Sequence, residues 1–220
     1  MRGFMPVFTL AKAARLFGLA ALLTLIAPDG AFACSRAALP AAAMQTIPTR
    51  NPDQGLFNRA VLVEVNYHRC KAGLAPLKLA TGLIKVAGNH ATWMASNRKL
   101  SHRSTIRGQA SVQERVLASG LPVRRGSENV GYLPRYQFNL ARKIRIKSKS
   151  RCEFTTVSGR PIAPHSYASL ASEIVRLWML SSGHRKNVLD RNVNSVGAAL
   201  GYNPKGNQCG QFFMAQNFAG

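Results

Sequence analysis

The chain has 220 residues, 46% of them hydrophobic, enough apolar material for a folded core and too much for a wholly disordered protein. Charged residues make up 17% and divide as 30 Lys+Arg against 8 Asp+Glu, a formal +22, so each carboxylate near a motif carries information. Past the N-terminus no apolar run reaches the roughly 18–20 residues of a membrane span. No repeat recurs at a period of roughly 20–50 residues. A polytopic membrane protein and a solenoid are excluded.

Residues 1–33 read as a secretory signal. Arg2, Lys12 and Arg15 give a positive front, 16–27 is uncharged and apolar, and Pro28, Asp29 and Gly30 break the run before Ala31-Phe32-Ala33. Cleavage after Ala33 implies a secreted or periplasmic protein that does not span the membrane. An anchor helix is disfavoured by the short core, and a lipoprotein on Cys34 by Phe32, bulky where a small residue is wanted. Removing 1–33 takes three basic residues and one acid from 30 and 8, leaving 27 and 7, a formal +20. Cys34, Cys70, Cys152 and Cys209 all remain. In an oxidising compartment they suggest two disulfides with three possible pairings, and their spacing resembles no metal site.

Residues 34–54 are low in large apolars and interrupted by prolines, which predicts a flexible leader before a domain over 55–220. Leu56, Ala60, Val63, Tyr67 and Cys70 recur at helical steps, with Gly73 as the stop. A second helical stretch, 77–100, carries a stripe of Leu83, Val86, Ala87, His90, Met94 and Asn97 and runs into Leu100-Ser101-His102. A short third helix fits 111–119, ended by Gly120 and Pro122, and a short strand fits 130–132. The fourth helix, 167–180, is capped by Ser169 and buries Leu170, Ile174, Leu177 and Trp178. Segments 194–202 and 211–218, separated by the turn-rich 203–207, predict a closing hairpin. Helices first and strands last, without βαβ alternation, indicate α+β around an antiparallel sheet.

Between strand and fourth helix lies a basic tract: Arg135, Arg142, Lys143, Arg145, Lys147, Lys149 and Arg151, with no acid. Its core, Lys143-Ile144-Arg145-Ile146-Lys147, alternates as an edge strand does. It reads either as a polyanion surface or as a solvated edge guarded by lysines. Aromatics are sparse (Tyr136, Phe138) and no nucleic-acid motif is present, so no specific nucleic-acid partner is expected. Non-specific binding to anionic envelope components is.

Two histidines and a carboxylate fall at element ends: His102 after the second helix, Glu128 in Ser127-Glu128-Asn129-Val130-Gly131, and His184 in Trp178-Met179-Leu180-Ser181-Ser182-Gly183-His184-Arg185-Lys186-Asn187-Val188-Leu189. Brought together, such groups would bind a divalent metal or transfer protons. Gly183 permits a tight turn that would put His184 at a helix end.

This pattern resembles the CAP superfamily (cysteine-rich secretory proteins, antigen 5, pathogenesis-related 1), specifically its bacterial SCP-like extracellular branch. Val65-Asn66-Tyr67-His68-Arg69 with Gly73-Leu74-Ala75-Pro76-Leu77 is similar to the branch's first helix and turn. Ala87, His90, Ala91 and Met94 through Leu100-Ser101-His102 are similar to its second helix and cavity histidine. Ser127–Val130 and Trp178–Leu189 resemble the Gly-Glu-Asn-Ile and Trp-x-x-Ser-x-Gly-His-Arg-x-Asn-Ile-Leu segments. The resemblance implies an α-β-α sandwich with a small central antiparallel sheet and a cleft lined by His102, Glu128, Ser181 and His184. Ser181 stands where many eukaryotic members have a second Glu, so the full tetrad is absent. Between Glu128 and Trp178 lie 49 residues, an excess near 135–165 that holds the basic tract and would form a hairpin beside the cleft.

Three functions follow from these residues. The first is a binding module holding zinc or another divalent cation on His102 and His184, the third ligand being Glu128 or water, with an extracellular ligand as partner. The second is a hydrolase with Glu128 as general base and Ser181 or Ser182 as nucleophile, although no Ser/His/Asp set is evident. The third is an envelope binder acting through the positive surface. Elsewhere, Trp93, Trp178 and His90 read as core, His68 and His165 as surface, Asp190 as a turn residue, and Glu114 as the partner of a neighbouring Arg. Sterol or lipid binding would need an apolar groove that the sequence does not locate.

Overall fold

The computed structural model describes residues 33–138 and 143–220. The signal segment expected over 1–33, Ala33 apart, and Arg142 lie outside the described residues. Cys34–Gly220 forms a compact unit of its own. Its elements are α1 (Gln54–Lys71), β1 (Lys78–Leu79), α2 (Thr81–Asn97), α3 (Val112–Leu117), β2 (Gly126–Pro134), β3 (Ile144–Ser148), β4 (Glu153–Thr156), α4 (Tyr167–Leu180), α5 (Ser182–Val188), β5 (Ser195–Asn203) and β6 (Gln211–Ala219).

The main sheet runs β1-β5-β6-β2, antiparallel except for the β1–β5 pair. It is the middle layer of an α-β-α sandwich. Val196, Ala198 and Leu200 of β5 and Phe212, Met214 and Phe218 of β6 pack with α1 and α4, while Ala199, Phe213 and Ala215 pack with α2 on the other face. The α2-facing row of β5 is Gly197, Ala199, Gly201. A Cβ on Gly201 would stand 2.5 Å from the Ala91 carbonyl oxygen, and one on Gly197 would collide with the α2 backbone at Leu83 and Ile84. Small residues let helix and strand backbones approach directly.

Because β1 covers only the start of β5, the rest of that strand's outer edge needs other partners. Side chains of α1 supply them. Asn58 Oδ1 accepts from Ala198 N at 2.7 Å, and the Gln54 amide accepts from Leu200 N and donates to Leu200 O, both at 3.0 Å.

Several expectations are corrected here. Segment 34–54 is packed: Cys34 is bonded to Cys70, Ala43 and Ile47 are buried, Thr46 bridges Ser166, and Asp53 caps α1. Its apolars are small and few, so tethers rather than hydropathy hold it. The second helix starts at Thr81, since Lys78 and Leu79 form β1. Ser166, not Ser169, caps α4, and Ser169 closes the capping box. The remaining cysteines pair as Cys152–Cys209.

The basic tract does form a hairpin, β3–β4, as a separate two-stranded sheet. It does not flank Glu128. Cys152–Cys209 fastens it to the β5–β6 loop, whereas Glu128 pairs Asn217 near the other end of the main sheet. Six positions of β2 separate Glu128 from Pro134, about 20 Å of strand.

Candidate functional site

Glu128 lies on the α2 face of β2 and is buried. Both of its oxygens are fully engaged. Oε1 accepts from Arg115 Nη2 at 2.8 Å and lies 2.9 Å from His102 Nδ1, while Oε2 accepts from Arg115 Nε at 2.7 Å and Asn217 Nδ2 at 3.0 Å. Burial by itself would raise this carboxyl, but the His102 and Arg115 hydrogen bonds and the Arg115 charge outweigh it and hold it below the usual range. The two-point Arg115 pair neutralises the site's carboxylate in a side-chain environment with no exposure on either partner. Arg115 itself is tied by its guanidinium to the carbonyls of His102, Gln109 and Ala110, so it also shapes the loop that carries His102.

The carboxylate fixes the His102 ring. With Nδ1–H donated to Glu128, Nε2 is left on the side of the ring away from the carboxylate, and the side chain is 50% exposed. His184 stands in the first turn of α5, at a helix end, and its imidazole is pushed down by burial and then by nearby His102. The two imidazoles are therefore electrostatic neighbours. A set of amides holds α5 to β2: Asn187 Nδ2 donates to the Glu128 carbonyl at 3.1 Å and to Asn129 Oδ1 at 2.9 Å, and Asn129 Nδ2 donates to the His184 carbonyl at 3.3 Å and to Gln216 Oε1 at 3.1 Å.

Ser181 is the junction residue between α4 and α5, its N–H donated to the carbonyls of Leu177 and Trp178. His90 is fully buried, as its place on the stripe predicts. Its Nε2 donates to the Ser101 carbonyl at 2.7 Å, which steadies the turn leading to His102.

Sequence reasoning missed Arg115 and Asn217. Arg115 hides in a short, otherwise ordinary helix, and Asn217 in an apolar strand. Sheet register pairs Asn217 with Glu128, and the packing of α3 against β2 brings Arg115 to it. The adjacent acid, Glu114, makes a capping box with Ser111 rather than a salt bridge. His165, expected at the surface, is buried beside Ser169. Trp93 is only partly buried and donates to Thr105, and His68 is partly buried against Tyr67. Asp190 does accept from Asn192 N in its turn and also pairs with Arg125. Among the described residues no group of three or more His, Cys, Asp or Glu is placed to hold a metal ion.

Residues 62–218 match the family described as CAP, the cysteine-rich secretory protein family. The chain belongs to that family. Its CAP domain is similar in fold to an extracellular SCP-domain protein of Bacillus anthracis, at 18% identity and a TM-score of 0.49, over 76% of this chain and 41% of that one. An outer surface protein of Borrelia burgdorferi matches at 15% identity and a TM-score of 0.48, over 80% of this chain and 97% of that one. A cysteine-rich secretory protein of Staphylococcus aureus matches at 14% identity and a TM-score of 0.42, over 79% and 40%. The chain thus spans about two fifths of the Bacillus and Staphylococcus proteins. No curated protein matches the sequence. The two disulfides are typical of a protein of an oxidising, extracytoplasmic compartment, and no helix of the described residues is long and apolar enough to cross a membrane.

Proposed function

We propose that this CAP domain, exported after cleavage behind Ala33, is an extracellular binding module. Its His102–His184 cleft takes a divalent cation, zinc by the preference of neutral imidazole donors. The observation that carries the reading is the His102 Nδ1–Glu128 contact at 2.9 Å, which leaves Nε2 as the ligand nitrogen in the way a carboxylate orients a metal-binding histidine. The donor set fits a cation held by two imidazoles, with water and the extracellular ligand completing the shell. Glu128 supports His102 from behind and is not the third ligand, because its four acceptor positions are filled. For the same reason Glu128 is poorly placed to act as a general base, which weighs against the hydrolase reading.

Calorimetric zinc titration of the oxidised protein beside a His102→Ala/His184→Ala variant tests the site. One-to-one binding lost in the variant is the expected result. Equal heats from the two proteins would remove the metal reading.

A further inference from the structure

The β3–β4 hairpin combines three features that the cleft does not use. First, it is strongly and one-sidedly basic. Lys143, Arg145, Lys147, Lys149, Arg151 and Arg160 are all exposed, and the segment's one acid, Glu153, is paired with Arg151 at 2.8 Å. Second, two aliphatic side chains of the same hairpin are exposed. Ile146 on β3 is 56% exposed and Val157, just past β4, is 53% exposed. Third, the aromatics point inward. Phe154 is buried with Tyr136 and Phe138 packed on it at ring separations of 4.9 and 5.0 Å, which leaves no free ring for stacking bases.

An edge strand guarded only against pairing needs lysines, not an exposed isoleucine. Uncovered, Ile146 invites the association that the charges prevent. Cations interleaved with aliphatics suit the boundary of an anionic bilayer, where the charges meet head groups and the aliphatics enter the acyl edge. The hairpin is also held firmly: Cys152–Cys209 pins it to the β5–β6 loop, where Lys205 is exposed. It stands at the end of the sheet remote from Glu128, so docking through it leaves the His102–His184 cleft open to solution.

We propose that hairpin 143–160 is a docking face for anionic phospholipid surfaces, with Ile146 and Val157 as the inserted side chains.

The test uses residues 34–220, the unit that holds both disulfides, with vesicles of phosphatidylcholine alone or mixed with phosphatidylglycerol, and heparin and duplex DNA as lipid-free polyanions. Cosedimentation at physiological salt should show binding to mixed vesicles and not to phosphatidylcholine alone. Lys147→Gln/Lys149→Gln should weaken vesicle binding about twenty-five-fold, roughly fivefold for each charge. Ile146→Ser, or Val157→Ser as an independent second variant, should weaken vesicle binding about tenfold and leave heparin binding unchanged. Both positions are exposed, and an unchanged thermal midpoint verifies the fold. Vesicle binding indifferent to both aliphatic substitutions, equal losses on vesicles and heparin, or absence of vesicle binding would each overturn the proposal. Zinc titration of the same variants distinguishes a failure of the docking face from a failure of the cleft.

Discussion

Four hydrogen bonds converge on the Glu128 carboxylate, and Arg115 supplies two of them at zero side-chain exposure. Removing one partner of a buried pair leaves the other charge stranded, at a cost of about 3–5 kcal/mol. Glu128→Gln keeps the shape, removes the charge, and turns an amide N–H₂ toward existing donors. We expect about 3 kcal/mol lost in urea denaturation and a zinc affinity at least about tenfold weaker, since His102 loses its orienting anion. A denaturation midpoint equal to that of the unaltered protein would contradict the described arrangement. His165 supplies a second test at this scale. Burial lowers its imidazole from 6.5 to about 4, although Glu173 acts in the opposite direction. Below pH 6.5 the unfolded chain gains a proton that the folded chain refuses, so stability falls as pH drops toward 4, by about 3 kcal/mol. His165→Asn should flatten that slope in urea midpoints measured from about pH 7 to 4. Buried His90, also lowered, leaves part of the slope in place.

Among the elements, α2 and β5 depend on close backbone approach. Gly201→Ala would force the new methyl against the Ala91 carbonyl, and either α2 moves or the strand does. Overpacking of this kind costs about 1–3 kcal/mol and outweighs the entropic gain of replacing a strand glycine. A thermal midpoint lowered by several degrees is the expected outcome, and a raised one would mean that α2 slides without cost. The helices with a strong apolar stripe were legible in sequence. The fourth spans Tyr167–Leu180 as its Leu170, Ile174 and Trp178 spacing indicates. α5 was not legible, because Ser182-Gly183-His184-Arg185-Lys186 has no stripe; its own Asn187 and Asn129 of β2 tie it to the sheet. β1 was not legible either, as two residues carry no period and are recognised only by their partner.

At the scale of the whole molecule, two disulfides fasten peripheral segments to the sandwich. Cys34–Cys70 closes a separation of 36 residues and Cys152–Cys209 one of 57. Chain-entropy arguments assign about 4 kcal/mol to each. The Cys34 sulfur is bonded to Cys70 and so is not available for a lipid thioether. Cys152→Ser/Cys209→Ser should increase hydrogen exchange across β3, β4 and the β5–β6 loop while zinc binding at the remote cleft persists. Equal loosening at His102 and His184 would mean that hairpin and cleft are coupled through the sheet.

The sequence by itself determined the family, the order of the main helices and the closing hairpin, and it singled out His102 and His184 as candidates. Each is written in local periodicity or in a run of adjacent residues. Tertiary structure decided which cysteines pair, that 34–54 is packed, that the basic hairpin lies away from the cleft, and that Arg115 and Asn217 meet Glu128. Those facts depend on sheet register and on contacts between residues distant along the chain, which no local pattern encodes. The difference matters most at Glu128: from the motif it is a candidate base or ligand, and from its four partners it is the support behind His102.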